Sequence, residues 1–207
     1  MVSQWLADQG FCVVVTDGPG TPGRGDGWER IVRGDLAEPT LQAQVDALFA
    51  IGEIYQERVD LSRVGIRGWS FGGYLAALAV LRRPDIFHAA VAGAPVTDWT
   101  LYDTFYTERY MDTPQDNADG YDKSSVFYHL DNWEGELPPL ILIHGMADDN
   151  VTFDNTTRLM AEMQEKGLLF DLMTYPGQRH GIRGEALQKH LMRTRMQFLN
   201  RHLKPGE

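Results

Sequence analysis

Five short apolar runs alternate with four stretches whose apolar residues recur at helical spacing, and that order restricts the chain to few folds. The runs are "FCVVVT" (11–16), "RVGIRG" (63–68), "AAVAGA" (89–94), "PLILIHG" (139–145) and "FDLMTYP" (170–176). The helical stretches are 41–59, 73–83, 152–167 and 184–203. Strands and helices in alternation imply parallel strands joined by crossover helices on both faces of the sheet. The expected fold class is therefore α/β, with a mostly parallel sheet. Cys12 lies inside the first run and is expected in the core. As the single cysteine of the chain, it excludes an internal disulfide.

One segment departs from the alternation. Residues 95–137, rich in aromatics and acids ("DWTLYDTFYTERYMD"), read as an insertion of short helices above the sheet, near its active edge. Its aromatic and acidic face is a candidate homodimer contact. The 207 residues suit a single domain with a substantial core. A formal charge of −10 excludes a nucleic-acid surface, which needs clustered Lys and Arg. No apolar run approaches the roughly 18 residues of a membrane helix. "MVSQWLADQG" lacks a basic region followed by an apolar one, so no signal peptide is read there and a cytoplasmic location is expected.

Chemistry enters at "RGWSFGGYLAAL" (67–78). Gly68-Trp69-Ser70-Phe71-Gly72 fits G-x-S-x-G between a strand and a helix, the context in which that motif raises a serine above a sheet edge. Such a turn is strained, so small neighbours are required. The helix N-terminus favours developing negative charge, and the backbone N–H of Phe71 can donate to an oxyanion. Serine needs a base oriented by a third group. Acids follow one strand at Asp148 and Asp149, and His180 follows another. Both lie at carboxyl ends of strands, where open α/β sheets build their sites. The order Ser, acid, His is that of α/β-hydrolases. His144, at the end of an apolar strand, reads as structural. His88, His129, His190 and His202 read as surface or packing residues. No spacing suggests a metal, and no cofactor is expected. "GPGTPG" (18–23) matches G-x-G-x-x-G, but Pro19 and Pro22 interrupt the turn, no helix opens there, and no acid-ended strand follows about 20 residues on. It reads as a rigid loop near the site mouth, not a dinucleotide site.

"GTPGRG", "GWSFGGYLAALAVL", "AGAPVTDWTLYDTFYTERYM", "HGMADDNV" and "YPGQRHGI" together resemble the catalytic domain of the prolyl oligopeptidase family of serine peptidases. The branch resembled is the dipeptidyl peptidase IV-like one, in a bacterial form. The resemblance covers essentially the whole chain and implies an α/β-hydrolase fold. It assigns Ser70 as nucleophile, His180 as general base and acid, and Asp148, the first acid of "ADDNV", as the orienting carboxylate. It gives Phe71 an oxyanion N–H and Asn150 a backbone carbonyl of the peptide substrate. Tyr102 and Tyr106, with Val96, Trp99 and Val151, would form an apolar pocket for proline or another small side chain. Plain packing of the insertion is the lesser alternative for the tyrosines. The implied reaction is hydrolysis after Pro or Ala through an acyl-enzyme, releasing N-terminal dipeptides in a longer protein. An esterase or acylaminoacyl peptidase with the same triad, or an inactive scaffold, are the competing readings.

The family has more than this chain contains. A β-propeller normally precedes its hydrolase domain, and its sheet has eight strands, of which "FCVVVT" corresponds to the fourth. The first strands are expected to be missing, so the domain reads as N-terminally incomplete. The third carries the loop with the second oxyanion donor and lies between the fourth and fifth. The first run must then lack a neighbour, pair directly with "RVGIRG", or pair with another copy. Little or no peptidase activity is expected of these 207 residues alone.

Overall fold

The computed structural model describes residues 2–204. Four strands form one sheet: β1 (Gly65–Trp69), β2 (Ala89–Gly93), β3 (Leu140–Gly145) and β4 (Asp171–Tyr175). Their spatial order is β1-β2-β3-β4 and every pair is parallel. Register aligns Trp69 with Gly93, Gly93 with Ile143, and Gly145 with Tyr175, so the carboxyl ends finish along one edge.

Side-chain alternation sorts the strands between two cores. Ala90, Ala92, Leu140 and Leu142 face one core, with the buried residues of α3 (Glu38–Tyr55), α4 (Phe71–Arg82) and α8 (Asp154–Glu165). Ala89, Val91, Ile141 and Ile143 face the other, against Leu191, Phe198, Leu199 and Leu203 of α9 (Glu185–Leu203). Burial on both faces is why β2 and β3 read as unbroken apolar runs. In α4 every residue from Gly73 to Leu81 is buried, so its alanine-rich sequence suits a helix enclosed on all sides. The 95–137 segment folds into short helices: a 3₁₀ turn at Trp99–Leu101, α5 (Thr104–Met111), α6 (Ala118–Ser124) and α7 (Val126–Asp131). Asp98, Asp103 and Ser125 cap three of these by accepting backbone N–H bonds. Near the amino terminus lie α1 (Val2–Asp8) and the single turn α2 (Asp26–Glu29). Among the described residues, no helix is long and apolar enough to cross a membrane.

The first apolar run departs from expectation. Residues 11–16 form no strand. Cys12 is exposed rather than in the core, and Val15 is 78% exposed. A strand exists only with a partner for its backbone groups. Here β1 pairs with β2 on one side only. Its other side faces a cleft of about 550 Å³, lined by residues 11–16 and by Gly65, Ile66 and Arg67. Direct pairing of 11–16 with β1 therefore does not occur, and the sheet has four strands rather than five.

Candidate active site

Ser70 sits between β1 and α4 with φ 60° and ψ −119°, a region that costs a non-glycine residue about 1–3 kcal/mol. Its surroundings hold it there. The Ser70 N–H donates to the Gly93 carbonyl at 2.8 Å, and the Tyr74 N–H donates to the Ser70 carbonyl at 2.9 Å. A Cβ on Gly68 would come within 2.1 Å of the Gly72 backbone, and one on Gly73 within 2.2 Å of the Gly93 oxygen. A Cβ on Gly72 would meet open space. Smallness is thus demanded at Gly68 and Gly73, while Gly72 supplies the backbone on which Gly68 packs. The Ser70 side chain does not cap α4, which leaves its hydroxyl for other work. Relief of the strain is measurable: Ser70→Gly is expected to be about 1 kcal/mol more stable than Ser70→Ala by chemical denaturation, although glycine is the more flexible residue unfolded. Equal stabilities would show that the turn is unstrained.

The acid and the histidine meet across the ends of β3 and β4. The His180 Nδ1 lies 2.8 Å from Asp148 Oδ2. The Asp148 side chain is fully buried, whereas that of His180 is 26% exposed. Backbone N–H groups of Asn150 and Val151 donate to Asp148 Oδ1 at 3.0 and 3.1 Å. Asp149, left open beside Asp148 by the sequence, points outward and pairs with Arg179 at 2.7 Å. The loop bearing His180 lies tight on the end of β3. The Ala147 N–H donates to the Gln178 carbonyl at 2.9 Å, and a Cβ on Gly145 would come within 2.3 Å of the Arg179 oxygen.

Two further side chains, Trp69 and His144, join this group. The Trp69 indole N–H donates to the His180 carbonyl at 2.7 Å and so ties the serine turn to the histidine backbone. Gly93 packs under its ring, and the Arg195 guanidinium lies over it at 5.0 Å. His144, fully buried, lies 3.2 Å from Asp148 Oδ2 through Nε2, with the Val151 carbonyl at 2.9 Å from the same nitrogen. Its Nδ1 lies 2.7 Å from the Thr156 hydroxyl. Burial holds the His144 pKa below the usual imidazole value. The motif spacing signals Trp69 only as an unspecified position. For His144 the four-residue offset to Asp148 was visible, but nothing in an apolar strand end says that the two meet.

An aromatic array connects the serine turn to the insertion. Phe71 lies 5.8 Å from Trp99, Trp99 stacks on Tyr106 at 5.9 Å and 18°, and Tyr106 meets Tyr102 edge-on at 5.3 Å. Trp99, Val96 and Val151 are buried behind the partly exposed Tyr102 and Tyr106. The Tyr102 hydroxyl donates to Asn150 Oδ1 at 2.8 Å. Burial pushes the Tyr106 phenol up to about 12 and raises that of Tyr102, so both stay protonated at neutral pH.

The family model described as "Prolyl oligopeptidase family" matches residues 1–206. The chain belongs to the prolyl oligopeptidase family. Among its relatives, mouse dipeptidyl peptidase 8 is 42% identical over 191 residues, covering 90% of this chain and 21% of that protein. Yeast dipeptidyl aminopeptidase B is 38% identical over 174 residues, covering 83% of this chain and 21% of the other. The crystal structure of Porphyromonas gingivalis dipeptidyl peptidase 4 superposes with a TM-score of 0.83 at 37% identity, over 90% of this chain and 26% of that one. The chain thus spans about a fifth of the length of the curated relatives it matches.

Within this prolyl oligopeptidase-family sheet the remaining sequence candidates fall into place. "GPGTPG" closes on Trp28, whose indole N–H donates to the Gly18 carbonyl at 3.1 Å. The first helix after it starts only at Asp26. His88 Nδ1 accepts the Val64 N–H at 3.1 Å, and His190 bonds the Tyr175 hydroxyl at 2.9 Å. His129 bonds the Lys123 carbonyl at 2.8 Å, and His202 accepts from Arg201 at 2.9 Å.

Proposed function

We propose that this chain is the catalytic domain of a serine peptidase that hydrolyses peptide bonds after proline or alanine, and that the longer protein releases N-terminal dipeptides. The observation carrying this reading is the 2.8 Å contact of buried Asp148 with His180 Nδ1, at the sheet edge where strained Ser70 stands. A carboxylate on Nδ1 keeps the proton there and leaves Nε2 free to accept one. His180 Nε2 takes the Ser70 hydroxyl proton as Oγ attacks the substrate carbonyl. The Phe71 N–H, unpaired as the first of a helix, donates to the tetrahedral oxyanion. Collapse expels the amine, which takes the proton from His180. Water then attacks the acyl-enzyme by the same proton route and frees Ser70.

The insertion supplies the specificity. A flat aromatic wall at Tyr102 and Tyr106, backed by Val96, Trp99 and Val151, suits a pyrrolidine ring or a methyl group. Because Asn150 Oδ1 is occupied by the Tyr102 hydroxyl, its amide N–H₂ is left to donate to a substrate carbonyl. The relatives' greater length supports a preceding propeller that admits short peptides and holds their amino termini. Phe105, 85% exposed on α5, supports a homodimer contact on the insertion.

The test is fluorophosphonate labelling of the 207-residue protein, with Ser70→Ala as control. Labelling at Ser70 and none in the variant is expected. Turnover of a Xaa-Pro amide is expected to be slower by about 10²–10³ than a two-donor oxyanion hole supports. A folded longer protein whose Ser70 does not label contradicts the reading; failure of the folded 207 residues alone assigns completion of the site to sequence outside them. Hydrolysis of simple esters without any Xaa-Pro amide turnover, even by the longer protein, favours an esterase instead.

A further inference from the structure

His144 has more contacts than a core histidine needs. Its Nε2 faces two acceptors at once, the Asp148 Oδ2 at 3.2 Å and the Val151 carbonyl at 2.9 Å. A carbonyl can only accept, and a carboxylate facing two imidazoles and two backbone N–H groups acts as an acceptor throughout. The proton of neutral His144 therefore sits on Nε2, shared between both oxygens. Nδ1 is then the lone-pair nitrogen and accepts from the Thr156 hydroxyl at 2.7 Å. The charged or titratable groups facing this ring are Asp148 and His180, and the Phe153 ring lies edge-on at 5.4 Å. The ring is held neutral by full burial. Every polar atom of the imidazole is thus used, and its one N–H points at the oxygen that His180 also uses.

We propose that His144 is a positioning residue for acylation: its Nε2–H holds Asp148 Oδ2 toward His180 and draws off part of that oxygen's negative charge. This rests on the reading of Asp148 and His180 as the orienting acid and the base. The carboxylate then has four donors, two on each oxygen, and no freedom to rotate. Oδ2 divides its charge between two N–H groups, so it supports the His180 imidazolium less strongly than an unshared oxygen would. His180 is left a weaker base, one that releases its proton to the leaving amine more readily. Thr156 acts one step further out, by fixing the His144 tautomer.

Nitrogen-15 NMR of the histidines in the 207-residue protein tests this without any substitution. His144 is expected as the neutral Nε2–H tautomer at neutral pH. A proton on Nδ1 there, or on both nitrogens, overturns the proposal. Two variants then separate positioning from packing. His144→Leu keeps apolar bulk and removes the donor, and His144→Gln returns a donor near Nε2. In His144→Leu the His180 titration is expected to rise by about 0.5–1 unit, carrying the pH midpoint of fluorophosphonate acylation with it. His144→Gln is expected to restore both. An unchanged His180 titration in folded His144→Leu, or the same shift in both variants, overturns the proposal. Should His144→Leu not fold, the tautomer measurement decides. Because the NMR readouts need no reaction at Ser70, a serine that fails to label would refute the peptidase reading without touching this one.

Discussion

Changing Asp148 to asparagine is expected to slow fluorophosphonate acylation of Ser70 by about 10³–10⁴, with the fold retained. Four donors surround this carboxylate. Oδ1 takes the N–H groups of Asn150 and Val151, and Oδ2 faces the ring nitrogens of His180 and His144. An asparagine has one acceptor oxygen for those four donors. With its oxygen toward the two backbone N–H groups, its own N–H₂ confronts His180 Nδ1. His180 must then carry its proton on Nε2, the nitrogen that has to accept from Ser70. The opposite rotamer sets two N–H groups against the backbone donors, at a cost of about 1–3 kcal/mol for each group left unsatisfied. The same change at Asp149, an exposed residue paired with Arg179, is expected to alter acylation less than twofold. Time courses of labelling across the three proteins decide this. A loss below tenfold in Asp148→Asn would remove Asp148 from the catalytic role.

The second large effect is expected at Gly68. Its added Cβ would lie 2.1 Å from both the carbonyl carbon and oxygen of Gly72, which are backbone atoms pinned by the start of α4. Neither side can yield without moving the turn that carries Ser70. Gly68→Ala is therefore expected to cost about 3 kcal/mol or more and to abolish labelling. Gly72→Ala, two positions past the serine in the same motif, adds its methyl to open space at the first turn of a helix. It is expected to lie within about 1 kcal/mol of the parent, on the stabilising side, because alanine is the better helix former. Labelling should survive. Denaturation curves and labelling of both variants check the contrast. Comparable losses in both would mean that the motif's glycines act through flexibility rather than through this contact.

Periodicity and local chemistry carried the reading a long way. Four of the five apolar runs became parallel strands in chain order; β2 and β3 are buried throughout, and a strand buried on both faces needs consecutive apolar residues. The strand–serine–helix turn was legible because its steric demand is local: a positive φ at Ser70 and backbone-on-backbone contact at Gly68 and Gly73. The insertion was legible from its break in alternation and from its aromatic and acidic composition.

Other features depended on neighbours far along the chain. "FCVVVT" has strand composition but no adjacent strand to bond, so it lies partly exposed outside the sheet, and composition alone cannot report the absence of a partner. Asp148 and Asp149 are chemically identical in sequence. Only the turn after β3 buries the first among four donors and turns the second outward to Arg179. His144 read as structural and Trp69 was an unspecified position of the motif, yet folding places one N–H on the Asp148 carboxylate and the other on the His180 backbone. The sequence by itself determined the α/β class, the serine turn and the chain order of serine, acid and histidine at the strand ends, since each follows from patterns a few residues long. Tertiary structure alone decided which acid meets the histidine, what holds it there and which apolar run stays outside the sheet, because those outcomes depend on hydrogen-bond partners brought together from distant strands.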